Sequence, residues 1–89
     1  MRAVISVAGN DKTGIIAKMS GVLYENGVNI EDISQTVMQG YFVMIMIAEI
    51  KKGGKTIADL SDILNKAGKE IGVDVRVQHE DIFNSMHRI

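Results

Sequence analysis

Residues 9 to 14, Gly-Asn-Asp-Lys-Thr-Gly, gather more reactive and adaptable groups than any other short stretch of this 89-residue chain. They stand between an apolar, strand-like run and an apolar, helix-like run. Such a turn presents backbone N–H groups at a helix N-terminus, where the partial positive charge favours an anion. Asp11 or Thr13 could instead cap the helix by accepting from an N–H two or three residues on. Gly9 and Gly14 allow left-handed backbone or the close approach of a ligand. The spacing G-x-x-x-x-G has neither the central glycine of a dinucleotide fingerprint nor the Gly-Lys-Ser/Thr of a phosphate loop. By its local chemistry the segment fits either a capped turn or an anion-holding loop.

The other constellations offer less. Gly54-Lys55-Thr56 imitates the end of a phosphate loop, but the glycine required five positions before Gly54 is replaced by Glu49. A Gly-Gly turn with a threonine helix cap accounts for it. His79 and His87 stand near Glu80 and Asp81, eight residues apart, which is no recognised zinc spacing. Ser6, Ser20, Ser34, Ser61 and Ser85 are scattered, and none lies in a nucleophile-elbow sequence. No cysteine is present, so disulfides, thiolate metal sites and cysteine nucleophiles are excluded. No catalytic residue, metal site or cofactor is expected, and the chain reads as a non-enzyme.

Ten basic and eleven acidic residues give a net charge of -1, without the basic excess of a nucleic-acid or anionic-membrane binder. The N-terminal run turns polar too early for a signal-peptide core, and no apolar run reaches membrane-spanning length. A cytoplasmic location is expected. The length corresponds to one domain, residues 1 to 89.

The elements that must position the loop follow from periodicity. Residues 2 to 8 are apolar and β-branched, and predict a strand. Residues 14 to 26 place Ile15, Ile16, Met19, Val22, Leu23 and Tyr24 on one broad helical face, with Gly27 as a stop. Residues 28 to 37 predict a second strand, irregular near Glu31 and Asp32, and residues 41 to 50 a third after the turn Met-Gln-Gly-Tyr. Residues 56 to 71 predict a helix, with Ile57, Leu60, Leu64, Ala67 and Ile71 at spacings of three and four. Thr56 and Asp59 resemble a capping box, and Asp62 and Lys66 are placed for a helical ion pair. Residues 73 to 79 alternate as a half-buried strand. The ending "EDIFNSMHRI" predicts a short amphipathic helix. The order β-α-β-β-α-β with right-handed crossovers predicts an α+β, ferredoxin-like sandwich: a four-stranded antiparallel sheet with two helices on one face.

The third strand is apolar on both faces, with Val43, Ile45 and Ile47 on one and Phe42, Met44, Met46 and Ala48 on the other. Helices cover only one face, so a second subunit, the C-terminal segment or both must cover the other. A ten-residue tail is too short to mask a whole face. A homodimer or larger homo-oligomer is therefore expected.

The run "ISVAGNDKTGIIAKMSGVLYENGVNIEDISQTV" resembles the first half of an ACT domain, a small regulatory amino-acid-binding module of the same βαββαβ order. The resemblance is carried by strand-G-x-D-[KR]-x-G-I, a helix ending in glycine and the following "NI". It extends over essentially the whole chain, which looks like the stand-alone, single-domain members. The resemblance implies subunits paired side by side, with a small ligand, often an amino acid, held near the interface. By position, Asn10, Asp11, Lys12, Thr13 and Gly14 would form one wall of the site and Asn29 and Ile30 the other. Loop N–H groups could hold a carboxylate, and Asp11 or the Asn29 amide oxygen an ammonium group. With no catalytic or DNA-binding domain attached, such a module is expected to act on a partner protein in trans, or merely to buffer or sense a ligand. The competing expectation is a ligand-free dimerisation or docking module.

Overall fold

The computed structural model describes residues 1–10 and 13–86, with Met86 described in its backbone only. The elements run β1 (Arg2–Asn10), α1 (Ile15–Glu25), β2 (Val28–Met38), β3 (Tyr41–Ile50), α2 (Ile57–Ile71), β4 (Val73–His79) and α3 (Glu80–Met86). The four strands form one sheet in the order β2-β3-β1-β4, and every neighbouring pair is antiparallel. This is the ferredoxin-like βαββαβ sandwich with a short C-terminal helix.

Alternation divides each strand between two faces. Ala3, Ile5 and Val7 of β1, Phe42, Met44, Met46 and Ala48 of β3, and Val73 and Val75 of β4 turn to the helices. There they meet Ile15, Met19 and Leu23 of α1 and Leu60, Leu64 and Ala67 of α2. No polar or charged residue is buried among the described residues. The unbranched Met19, Met44 and Met46 fill this core, as flexible thioethers do in irregular gaps.

The breaks in the chain obey backbone chemistry. Asn26 caps α1, its amide donating to the Val22 carbonyl at 2.8 Å, and Gly27 follows at φ 70°. Gln39 and Gly40, at φ 52° and 84°, make the tight β2–β3 turn between the paired residues Met38 and Tyr41. The register slips between Ile30 and Asp32, a bulge that falls on the irregularity expected at Glu31 and Asp32. Thr56 and Asp59 form a reciprocal capping box at α2, as expected. The expected Asp62–Lys66 pair does not form. The helices are tied instead by Lys18 Nζ and Glu70 Oε2 at 2.8 Å.

The sheet's second face is covered in part. α3 packs against β1 and β4, and Val4 is buried there although it lies outside the helix-side core. Arg2 Nε sits 3.1 Å from Glu31 and 3.4 Å from Glu80, linking the bulge in β2 to the start of α3 across that face. β2 and β3 have no such cover.

Candidate functional site

β1 ends at Asn10 opposite Tyr41, so the β1–α1 loop and the β2–β3 turn lie at the same end of the sheet. Asp11 and Lys12 lie outside the described residues. Thr13 is exposed and precedes the helix. The N-cap position falls on Gly14 at φ 90°, which has no side chain to cap with. α1 therefore begins without the side-chain cap that α2 has, and no acidic residue stands in its first turn. The start of α1, with its partial positive charge, lines a groove.

That groove, of about 660 Å³, runs between the start of α1 and the second half of β2. Gly14, Ile15, Ile16 and Ala17 form one wall, Gln35, Thr36 and Val37 the other, and Phe42 the floor. It exists because β2 outruns the helical layer. Ile33, Gln35 and Val37 face Met46, Met44 and Phe42 in the register and so belong to the helix side. Yet all three are exposed, because α1 does not reach over them. The lining is largely apolar, with the Gln35 amide and the α1 N-terminus as its polar points. Apolar walls with few fixed polar groups are the make-up of a small-molecule site. β2 is one of the sheet's two edge strands, so the groove is open along its outer side.

The residues expected from the sequence are not brought together within one chain. Gly14 lines the groove. Asn10 is exposed and borders a different cavity, of about 420 Å³, with Tyr41, Lys69 and Asp74. Asn29 and Ile30 pair with Glu49 and Ala48 at the far end of the sheet. At a rise of about 3.3 Å per residue, Asn29 lies roughly 23 Å along β2 from Thr36. Ile16, Gln35, Val37 and Phe42 were missed by the sequence reading. Ile16 and Phe42 carry only the signature of core residues, and Val37 shows its exposure only once the register is known.

The remaining candidates carry no site. The Asp81 N–H donates to His79 Nδ1 at 3.1 Å, which occupies that nitrogen as an acceptor. His87 lies outside the described residues. No cluster of three metal-ligating side chains occurs among the described residues. No helix among them is long and apolar enough to cross a membrane.

Comparison with known proteins agrees with this architecture. The family model described as an ACT domain matches residues 2–78. A UPF0237 protein from Clostridium perfringens is 55% identical over 89 residues, covering 100% of both chains. A UPF0237 protein from Methanocaldococcus jannaschii is 56% identical over 88 residues, covering 99% of this chain and 98% of its own. Among solved structures, an ACT domain protein from Streptococcus pneumoniae superposes with a TM-score of 0.84 at 37% identity, covering 93% of each chain. With a family match over most of its length and relatives of nearly equal size, this chain belongs to the ACT domain family of regulatory modules.

Proposed function

We propose that the protein is a non-catalytic sensor that binds a free amino acid in the groove between α1 and β2, at an interface between two copies. The observation that carries this reading is the groove itself: apolar on its walls, headed by an uncapped helix N-terminus, and open along an unpaired strand edge. The first-turn N–H groups of α1 suit a carboxylate. The apolar walls suit an aliphatic or aromatic side chain.

The open edge supports the interface. Beyond the bulge, the edge residues 33 to 38 carry no charge and no proline, so little discourages pairing with another strand. Two β2 strands paired antiparallel about a two-fold through their midpoint, near Ile33, would set Val37 opposite Asn29 and Thr36 opposite Ile30 of the second copy. Asn29 and Ile30 of the second copy, remote from the groove within one chain, are then brought beside it, Ile30 on the helix side of the sheet and Asn29 at the strand edge on the other face. Reaching around that edge, the Asn29 amide oxygen would accept from the ligand ammonium. Ligand binding would favour the paired arrangement, and a partner protein reading that arrangement in trans would be regulated by it.

Subunit mixing tests the cross-subunit site. Ile16→Glu leaves an acid in the first turn, where it favours the helix, but sets a negative charge against the ligand carboxylate. Asn29→Ala removes the ammonium partner. Each variant alone is expected to lose binding of the amino acid that stabilises the wild type. Mixed, they form pairs in which one composite site is intact, so about a quarter of the binding capacity returns at random assortment. No recovery on mixing, with both variants folded and exchanging, would place the whole site within one chain.

A further inference from the structure

A cavity of about 720 Å³ lies at the β3–α2 loop. The groove is lined by Phe42 near the start of β3, whereas this loop follows Ile50 at the strand's other end. Met1, Ile50 and Ile57 give the cavity an apolar lining, and Lys51, Lys52 and Lys55 line it as well. Three of the chain's ten basic residues thus fall within five positions, with no acid among them, although the net charge is -1. All three lysines are exposed, and none has an ion-pair partner among the described residues. The acids nearest in sequence are already engaged. Glu49 Oε1 lies 2.7 Å from the Met1 ammonium, and Asp59 Oδ2 accepts from the Thr56 N–H at 3.3 Å. Two glycines set the loop's shape. Gly53 sits at φ 79°, and a Cβ on Gly54 would stand 2.9 Å from the Lys51 carbonyl oxygen, which accepts from the Gly54 N–H.

We propose that this cavity binds a small phosphorylated metabolite, its phosphate among Lys51, Lys52 and Lys55 and its carbon skeleton against Ile50 and Ile57. The volume and the largely apolar lining with a few charged groups are those of a small-molecule site. Lysine ammonium groups hold phosphate as point charges, and a doubly charged phosphate gains more from three cations than a single carboxylate does. The helix is not the donor here. The N-terminus of α2 is closed by the reciprocal box of Thr56 and Asp59, so the turn does not work as a phosphate loop and recognition falls to the lysine side chains. Their positive charge is confined to one loop over a cavity. It does not extend into the basic stripe that a nucleic acid would track.

The probes are inorganic phosphate and phenyl phosphate, titrated at constant ionic strength and followed through the amide NMR spectrum. The Gly53 and Gly54 resonances are expected to move and that of Gly14 to stay in place. Phenyl phosphate is expected to bind more tightly than inorganic phosphate, because its ring meets the apolar lining. Lys52→Gln/Lys55→Gln is expected to weaken phenyl phosphate binding about tenfold. Lys66→Gln/Lys69→Gln lowers the net charge equally through exposed residues of α2 outside the cavity, and is expected to leave binding unchanged. All four substitutions change exposed side chains, and the same spectrum checks the fold. Equal weakening by the two pairs would reduce the effect to net charge and overturn the proposal. Movement of Gly14 in place of Gly53 and Gly54 would put the phosphate in the groove and also overturn it. So would binding of poly-L-glutamate without either phosphate, which would make the loop a docking surface for an acidic protein segment, or no movement at millimolar probe. Stabilisation by an amino acid is read separately, at the groove, and its presence or absence leaves this result standing.

Discussion

At the scale of the residue, Gly14 and Thr56 show how the two helix starts were given different work. Gly14 sits at φ 90° with nothing within 4 Å of where a Cβ would stand. A side chain there would be strained by backbone conformation and by nothing else. Gly14→Ala is therefore expected to cost about 1–2 kcal/mol, measurable as a lower midpoint in urea. Thr56→Ala removes one half of the reciprocal capping box and is expected to cost about 1 kcal/mol with no effect on ligand binding. The capping box was legible because its residues touch each other locally. Gly14 was legible as part of the loop for the same reason. Ile16, Gln35 and Val37 were not, because what makes them a groove is that β2 extends past α1. That fact belongs to the strand register and not to any local spacing.

At the scale of the element, close approach and charge set how the helical layer sits on the sheet. A Cβ on Gly68 would stand 2.8 Å from the Val73 carbonyl oxygen and 2.8 Å from Val75 Cγ2. The glycine lets α2 lie against β4. Replacing a mid-helix glycine by alanine ordinarily stabilises by about 1 kcal/mol, but here the backbone oxygen cannot give way. Gly68→Ala is expected to destabilise by about 1–3 kcal/mol net, with thermal or urea unfolding as the check. The Lys18–Glu70 pair joins α1 to α2 at the surface. Its hydrogen bond and the opposed charge hold the Glu70 carboxyl below its usual range and raise the Lys18 ammonium. Because the folded-state pKa of Glu70 is depressed, its stabilisation is present above the ordinary carboxylate pKa. It is lost as pH falls through the depressed value. Glu70→Gln is therefore expected to lower the Tm slightly at neutral pH and low salt, and not at all once both proteins are below that range. Added salt should erase the difference, as it does for exposed pairs. The six elements of the sandwich and the bulge were legible from periodicity and from Gly27, Gly40 and Gly72.

At the scale of the whole molecule, β3 is apolar on both faces. Its helix-side residues form the middle of the core, and Val43 and Ile45 of its other face stay exposed. The alternation of apolar residues on both faces was visible in the sequence. That α3 would cover β1 and β4 but not β2 and β3 was not, because it depends on where a seven-residue helix lands on the sheet. Nor could the sequence show that Asn29 and Ile30 lie at the opposite end of β2 from the loop. The proposed function stands on that groove holding an amino acid. The most direct test is thermal unfolding of the wild-type protein and Ile16→Glu against each of the twenty amino acids at millimolar concentration. A ligand at a hundredfold above its Kd stabilises by about 2.7 kcal/mol, which raises the Tm of a domain this small by roughly ten degrees or more. Such a rise is expected in the wild type with one or a few apolar amino acids, and none in Ile16→Glu. No rise with any of the twenty, or an equal rise in both proteins, would contradict it.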